Sequence, residues 1–590
     1  MADLKPSVSD DFRARLVEHL ERIYGESRAV GVADSLVERI SRWRRRYKPR
    51  KLPVSEACWD QAKSVLITYG DSIQQSGEPP LQTLHRFLDA HLRGVVDTIH
   101  ILPFFPYSSD DGFSVIDYRE VNPHLGDWPD IAAINDGFDL MVDLVINHCS
   151  SQSLWFFDYV ADVAPYNDYF IEADPSDALS LVTRPRSSTL LKEVRTHRGL
   201  KHLWATFSHD QIDLNFANPS VLLEMLDVML KYVAAGTRIL RLDAIAYLWK
   251  DVGTNCIHRP QTHEVVKLIR DVLSEVEPHC LLLTETNVPD AENRSYFGEG
   301  DEAQMVYQFP LPPLLLHALH TGRTQYLTAW AKDVEANPPP PGCTFLNFTA
   351  SHDGVGLRPL EGLVPPDEVK MLLHGMHRRG GFLSSRRNTD GSESPYELNI
   401  SYFDAFREPR LANDPHHIPC FLISQIVALS MQGVPALYIH SLTATHNDEL
   451  GVELLGRTRA INRRRWDAHE LEHLIRDRGS ETGQVFAELT RILRLRAQHP
   501  AFHPDGPQRV LDLDHQLFGL ERRAPDDSER ILCLFNFTPV EQRVAVQGLL
   551  SESTSVVWSD LLSGGPAEID AGQVVLAPYA ACWLVDSAPL

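Results

Sequence analysis

GTRILRLDAIAY, residues 236–247, is the stretch of this chain that decides its fold. It contains a short apolar run typical of a buried strand, but Arg241 interrupts the run and Asp243 ends it. These two residues are two positions apart and therefore lie on one face of a strand. Burying an arginine and a carboxylate is costly unless they pair or take part in chemistry. Taken alone, the stretch leaves both a structural ion pair and a catalytic site open.

Seven further runs of strand type lie on both sides of this stretch, separated by helical segments. They are VLITYGD (65–71), VDTIHILPFFP (96–106), FDLMVDLVINH (138–148), CLLLTETN (280–287), MVYQF (305–309), TFLNFTASHD (344–353) and VPALYIHSL (434–442). Such alternation predicts an α/β fold, a (β/α)8 TIM barrel with parallel strands. Polar residues end several of the runs: Asp71, Asn147, His148, Asp243, Glu285, His352 and Asp353. Because the carboxyl ends of barrel strands meet on one face, we expect these side chains to surround one pocket.

The 590 residues exceed what one core usually supports, so further units are expected around the barrel. We expect an N-terminal helical extension over residues 1–60, the catalytic barrel over 61–504 and a C-terminal antiparallel β domain over 505–590. Two long segments, about 149–210 and 358–415, are expected to be inserted subdomains after strands 3 and 7. Helical spacing in the extension predicts two helices, which carry Phe12, Leu16, Leu20 and Ile23 after a cap at Ser9, and then Val32, Leu36, Ile40 and Trp43.

Composition narrows the class of protein. The chain is 43% hydrophobic and 23% charged, which is ordinary globular composition. The formal net charge of −24 argues against nucleic acid and anionic membranes as partners. The eight cysteines are scattered without metal spacing, and neither a signal peptide nor a membrane-spanning run is evident. We therefore expect a cytoplasmic protein without a metal site.

Four short motifs occur in order at the ends of predicted strands: DLVINH (143–148), RLDAIAY (241–247), TETN (284–287) and ASHD (350–353). Together they resemble the four signature regions of the α-amylase family of glycoside hydrolases and transglucosidases. From Val65 onward the chain is similar to the sucrose-phosphorylase-like branch of that family, above all to the glucosylglycerate phosphorylases, which also carry an N-terminal helical extension. The resemblance implies a retaining phosphorylase that converts glucosylglycerate and phosphate to α-D-glucose 1-phosphate and D-glycerate through a β-glucosyl-enzyme. It implies no cofactor, since inorganic phosphate is a co-substrate.

The catalytic residues follow by matching these motifs. Glycoside cleavage requires two carboxylates that flank the scissile bond. By resemblance, Asp243 is the nucleophile, Glu285 is the general acid/base and Asp353 stabilises the distorted sugar. Arg241 is expected to pair with Asp243 and keep it ionised. A lone carboxylate at a strand end is more often a helix cap or a loop anchor. The catalytic interpretation therefore depends on the occurrence of all three carboxylates together.

The same matching implies a pocket for one terminal glucose. Asp110 and Arg459 correspond to the pair that clamps its outer hydroxyls, which favours an exo-acting enzyme. The remaining members are expected to be Phe113 against the sugar ring, His148 and His352 as hydrogen-bonding groups, and Phe207 and Tyr247 as walls. A single histidine or aromatic residue is more often part of the core, and here the neighbouring motif residues favour the pocket.

Phosphate and acceptor are expected to bind beside this pocket. Arg186 matches a phosphate-binding arginine on a mobile loop of sucrose phosphorylases, and a solvated loop arginine is the alternative. Asn287 stands where sucrose phosphorylases have a histidine. The segment 384–399 is also different and rich in arginine, which suits a carboxylated acceptor such as glycerate better than fructose. We therefore hypothesise an acceptor subsite formed by Asn287 with Arg386 or Arg387, Tyr396 and Glu397.

Other functions share much of this pattern. A phosphorylase of sucrose, sucrose 6-phosphate or glucosylglycerol would use the same catalytic residues and differ only in its acceptor loops. An α-glucoside hydrolase or transglucosidase would ignore phosphate, and a binding protein on an inactive barrel would have lost part of the carboxylate set. The expected partners are a small α-glucoside and phosphate. The N-terminal extension is expected to serve packing or oligomerisation, which leaves a homodimer open.

Overall fold

Eight parallel strands close into a barrel in the computed structural model, which describes residues 8–47, 58–388, 392–411, 413–545, 557–570 and 572–587. We number them β1 (Val65–Thr68), β2 (Thr98–Ile101), β3 (Asp139–Leu144), β4 (Thr237–Leu242), β5 (Leu281–Thr284), β6 (Met305–Tyr307), β7 (Thr344–Phe348) and β8 (Val434–Tyr438). Each strand pairs with its neighbours in sequence, and β8 pairs with β1. All eight lie inside the stretches predicted from the sequence, so the barrel prediction is confirmed.

Helices surround the barrel, and most of the long ones turn an apolar face toward the strands. Several begin with a proline in the first turn, where its fixed φ suits a helix and its missing N–H costs nothing. The helices that follow the barrel strands are Pro80–His91, Trp128–Asn135, Pro219–Ala234, Pro260–Val276, Asp290–Arg294, Leu311–Thr321, Gln325–Ala336, His417–Ser430, Ile439–Leu442, Glu449–Leu455, Ala468–Arg476 and Glu481–Arg496.

Two N-terminal helices, Asp10–Tyr24 and Glu26–Arg46, form a hairpin on the outside of the barrel. Ser9 caps the first helix, as predicted, by accepting a hydrogen bond from the amide of Phe12. The hairpin buries its apolar face and is tied to barrel helices by polar contacts. His19 lies 2.6 Å from Glu264, and the indole of Trp43 donates to the carbonyl of Leu230 at 2.7 Å.

Two insertions rise above the carboxyl ends of the strands. The one after β3 contains helix Leu154–Val160, the paired strands Leu191–Thr196 and Gly199–Trp204, and the strand Gln211–Asp213, which pairs with His148–Ser150. The one after β7 contains helix Pro366–His377 and a three-stranded antiparallel sheet of Val355–Gly356, Glu393–Asn399 and Phe382–Arg387. Both lie where the sequence predicted inserted subdomains.

Antiparallel strands follow the last barrel helix. They are Gln508–Val510, Leu517–Arg523, Arg530–Asn536, Gln542–Ala545, Val557–Asp560, Gly565–Pro566, Ile569–Asp570, Gln573–Leu576 and Ala581–Ser587. The buried guanidinium of Arg522 donates to the carbonyl of Ser430 at 2.9 Å, and the indole of Trp583 donates to the hydroxyl of the same serine at 2.8 Å. These contacts fix the β domain to the barrel helix His417–Ser430.

Candidate active site

A cavity opens at the carboxyl ends of the barrel strands, and we call it the central cavity. Most residues predicted for the site line it: Asp110, Phe113, His148, Arg186, Phe207, Asp243, Tyr247, Glu285, Asn287, His352, Asp353, Tyr396, Glu397 and Arg459. The barrel brings the motif residues together because each motif lies at the end of a strand and parallel strands end on one face. The two insertions and the segment after β8 add the remaining lining residues.

The floor of the cavity is a buried ion-pair network around Arg241. Its Nη1 lies 2.8 Å from Oδ1 of Asp243, as predicted, and 2.5 Å from Oδ1 of Asp143 on β3. Asp143 in turn contacts Nε2 of His100 on β2 at 2.7 Å. Burial raises the pKa of the Asp243 carboxyl, and the Arg241 guanidinium opposes this shift. Three strands therefore fix the position of one carboxylate that faces the cavity.

Glu285 follows β5 and lies beside the same guanidinium. Its Oε2 is 3.9 Å from Nη2 of Arg241 and accepts a hydrogen bond from the amide of Ala244 at 3.1 Å. Burial raises the pKa of Glu285 to about 7, and the negative charges of Asp243 and Asp353 act in the same direction. At neutral pH this group therefore exists in both protonated and ionised forms, which suits general acid/base catalysis.

Asp353 lies in a different electrostatic environment. Its Oδ1 is 2.6 Å from Nη1 of Arg459, and its Oδ2 is 3.4 Å from Nε2 of His352. Burial alone would raise the pKa of Asp353, but Arg459 together with the nearby Arg463 and Arg241 outweighs burial and holds the pKa below the ordinary range. Burial also lowers the pKa of His352 to about 3, so this imidazole is neutral. The cavity thus holds a carboxylate that stays ionised beside one that can carry a proton.

Both residues of the predicted sugar clamp line the central cavity. Asp110 lines the cavity and accepts a hydrogen bond from Nε2 of Gln211 at 3.1 Å. Arg459 contacts Oδ1 of Asp353 at 2.6 Å and Oε2 of Glu397 at 2.9 Å. The two predicted members therefore face the cavity with separate partners.

Aromatic rings form the wall of the cavity, and a buried lysine supports it from behind. Phe113 stacks on His352 with ring centroids 4.9 Å apart, and Phe207 meets Tyr247 edge-on at 5.4 Å. Behind Tyr247, the ammonium of Lys250 contacts Oδ1 of Asn147 at 2.7 Å, Oδ2 of Asp213 at 2.5 Å and the carbonyl of Tyr247. This lysine joins the end of β3, the first insertion and the turn after β4.

Arg186 reaches the cavity from the first insertion. Its guanidinium lies over the ring of Tyr396, with Cζ 5.7 Å from the centroid, and Nη1 is 3.9 Å from Oε2 of Glu397. Arg459 and Arg186 are the arginines that line this cavity among the described residues, and Arg459 is already paired with two carboxylates. Arg186 is therefore the cation available to an incoming anion.

The predicted acceptor residues divide into two groups. Asn287 lines the cavity next to Gly356, where an added Cβ would lie 2.5 Å from its Oδ1. This oxygen is buried and has no hydrogen-bond partner in the part of the chain that the structure describes. Arg386 instead pairs with Glu361 at 3.0 Å and is not among the lining residues. The side chain of Arg387 lies outside the described residues. Asp71, three residues after the end of β1, lines a neighbouring cavity and pairs with Arg465 at 2.8 Å.

Several residues of the site were not predicted from the sequence: His100, Asp143, Gln211, Asp213 and Lys250. Two of them carried a signal, since Asp143 and His100 are polar residues inside apolar runs of strand type. The others lie in segments without a periodic pattern.

No helix in the described ranges has the length and apolar character needed to cross a membrane. The same residues contain no group of three histidine, cysteine or acidic side chains arranged to hold a metal ion.

Comparison with known proteins agrees with this geometry. Residues 92–336 match the family model of the α-amylase catalytic domain. The chain is 43% identical to glucosylglycerate phosphorylase of Spirochaeta thermophila, over 97% of this chain and 98% of that protein. It is 39% identical to glucosylglycerate phosphorylase of Escherichia coli, over 97% and 100% of the two chains. Among solved structures, sucrose 6F-phosphate phosphorylase from Thermoanaerobacter thermosaccharolyticum superposes with a TM-score of 0.69 at 25% identity, over 81% of this chain and 94% of that one.

Proposed function

The chain belongs to the sucrose-phosphorylase-like branch of the α-amylase family, and we propose that it is a glucosylglycerate phosphorylase. The reaction is the conversion of glucosylglycerate and phosphate to α-D-glucose 1-phosphate and D-glycerate. One observation carries the proposal: three glucosylglycerate phosphorylases are 39–43% identical to this chain over nearly its whole length. Sucrose phosphorylases are similar over a smaller part, for example 30% identical over 74% of this chain for the Agrobacterium vitis enzyme.

The first half of the proposed reaction uses Asp243 and Glu285. An oxygen of Asp243 attacks the anomeric carbon, the bond from that carbon to the glycerate oxygen breaks, and protonated Glu285 gives its proton to that oxygen. Both carboxyl groups lie beside the guanidinium of Arg241: Oδ1 of Asp243 is 2.8 Å from Nη1, and Oε2 of Glu285 is 3.9 Å from Nη2. We propose a retaining mechanism through a β-glucosyl-enzyme, in which Asp243 attacks the anomeric carbon directly and no water stands between the two carboxyl groups.

The second half of the reaction returns the sugar to phosphate. A phosphate oxygen attacks the anomeric carbon, the bond to Asp243 breaks, and ionised Glu285 takes the proton of the phosphate. Arg186 is proposed to hold the phosphate, since arginine suits phosphate oxygens and this guanidinium has only a distant carboxylate partner. Asp353, which stays ionised, is proposed to stabilise the positive charge that develops on the sugar.

The glycerate side of the site is proposed to include Asn287. Its buried, unpartnered Oδ1 can accept a hydrogen bond from a hydroxyl of the acceptor. Tyr396 and Glu397 line the same part of the cavity, beside Arg186. The contribution of Arg386 or Arg387 remains a prediction, and Arg386 would have to leave Glu361 to make it.

The proposal includes a cytoplasmic location and no cofactor beyond phosphate as co-substrate. All eight cysteines are free thiols, which supports a reducing compartment. A homodimer remains a prediction.

The test runs the reaction in the direction of synthesis. Purified protein and α-D-glucose 1-phosphate are combined with D-glycerate, fructose, fructose 6-phosphate, glycerol or buffer, and phosphate release is followed. The fastest release is expected with D-glycerate. If fructose, fructose 6-phosphate or glycerol gave faster phosphate release than D-glycerate, that compound would be the acceptor instead. Equal phosphate release in all samples, including buffer, would indicate a hydrolase.

A further inference from the structure

The turn that carries Asp110 adopts an unusual backbone conformation. Asp110 and the next residue, Asp111, both have positive φ, +54° and +49°. Two consecutive residues with a side chain in the left-handed region are unfavourable and persist only where surrounding contacts hold them. Gly112 follows with φ +112° and approaches Pro103 so closely that a Cβ would lie 2.6 Å from its carbonyl oxygen. The turn is therefore held in place by specific contacts.

Asp111 makes the strongest of these contacts. The strained turn directs its carboxylate away from the central cavity, into the neighbouring cavity lined by Tyr69 and Arg463. Its Oδ1 lies 2.7 Å from Nη2 of Arg457, and its Oδ2 forms an ion pair with Nη1 of Arg463. Arg463 is almost fully buried, with its side chain 6% exposed. Breaking a buried ion pair by removing one partner leaves the other charge uncompensated.

Arg463 connects this turn to the loop after β7. Its Nε donates to the carbonyl of His352 at 2.7 Å, and its Nη2 is 3.9 Å from Oδ1 of Asp353. The preceding residue, Asn462, donates to the carbonyl of Asp353 at 3.0 Å. One guanidinium thus holds both the turn that presents Asp110 and the loop that presents His352 and Asp353.

We propose that Asp111 is a positioning residue for the glucose subsite, acting through Arg463 on groups that face the sugar from two different loops. It keeps Asp110 in its strained conformation and keeps Arg463 away from Asp353. Without the Asp111 charge, the nearest carboxylate of Arg463 among the described residues is Asp353, and the freed guanidinium competes with Arg459 for it. The inference rests on the glucose-binding part of the proposed function and does not depend on the acceptor.

The test measures binding of α-D-glucose 1-phosphate by isothermal titration calorimetry. The parent protein is Asp243→Ala, in which the proposed nucleophile is absent and the ligand is not consumed. Adding Asp111→Asn is expected to raise the dissociation constant at least about tenfold, since small displacements of several binding groups have large effects. Affinity for inorganic phosphate alone is expected to stay within about twofold, because Arg186 is separated from Arg463 by three intervening residues, Glu397, Arg459 and Asp353.

Three further variants separate positioning from general stability. Asp111→Glu keeps the charge and is expected to recover most of the affinity for α-D-glucose 1-phosphate. Arg457→Gln removes the more exposed partner, 40% exposed, and is expected to give a smaller loss in the same direction even if Asp111→Asn fails to fold. Asp71→Asn is the matched control, because it breaks the Asp71–Arg465 pair in the same neighbouring cavity.

Equal losses in Asp71→Asn and Asp111→Asn would overturn the inference, as would unchanged affinity in Asp111→Asn. No binding of α-D-glucose 1-phosphate by the parent would overturn both the inference and the proposed glucose subsite. Binding that depends on Asp111 together with synthesis from an acceptor other than glycerate would support the inference and overturn the proposed acceptor.

Discussion

Among the described residues that line the central cavity, Arg186 is the arginine without a close carboxylate, and replacing it with glutamine removes its charge. In the structure its nearest carboxylate oxygen, on Glu397, is 3.9 Å away, whereas Arg459 is bound to two carboxylates at 2.6 and 2.9 Å. A charge-assisted hydrogen bond contributes about 1.5–3 kcal/mol. Since about 1.4 kcal/mol corresponds to a factor of ten, kcat/KM for phosphate should fall by about 10- to 150-fold in Arg186→Gln.

The assay separates the two fates of the glucosyl-enzyme. With glucosylglycerate as donor, α-D-glucose 1-phosphate and free glucose are measured over a range of phosphate concentrations. Arg186→Gln is expected to raise KM for phosphate and to increase the share of free glucose, because water then competes better with phosphate. The KM for glucosylglycerate is expected to change less.

A matched control uses another arginine of an insertion above the barrel. Arg386→Gln also removes a guanidinium, but this one pairs with Glu361 and does not line the cavity. It is expected to leave KM for phosphate within about twofold. An unchanged KM for phosphate in Arg186→Gln, or an equal rise in both variants, would refute the assignment of Arg186.

Three further predictions follow from the buried charges. Because protonated Glu285 has a pKa of about 7 and acts as the proton donor, kcat/KM for glucosylglycerate should fall above about pH 7, and a pH profile without this limb would contradict its role. Asp243→Ala should abolish turnover with an unchanged far-ultraviolet circular dichroism spectrum, and retained phosphorolysis would exclude it as the nucleophile. Lys250→Met should lower the free energy of unfolding by about 3–5 kcal/mol, since it leaves the Asp213 carboxylate buried without its cation. Urea denaturation measures this free energy, and a change below about 1 kcal/mol would show that water compensates the buried charge.

The sequence alone determined the barrel and the order of its functional residues. Apolar runs of strand length specify buried parallel strands, and polar residues that end such runs must gather on one face. Asp243 and Glu285 each follow a strand directly, at β4 and β5, so their convergence depended only on the register of neighbouring strands. The four ordered motifs then indicated the family, and the comparisons confirmed it.

Only the tertiary structure decided which charged groups far apart in sequence meet. Arg463 and Asp111 pair across 352 positions of sequence, and Arg459 reaches Glu397 on an insertion rather than Asp110. The sequence also offered Arg386 as an acceptor group, whereas the fold pairs it with Glu361. The reason is physical: strand periodicity is a local property, while the partner of a long charged side chain depends on how insertions far apart in sequence pack over the same barrel face.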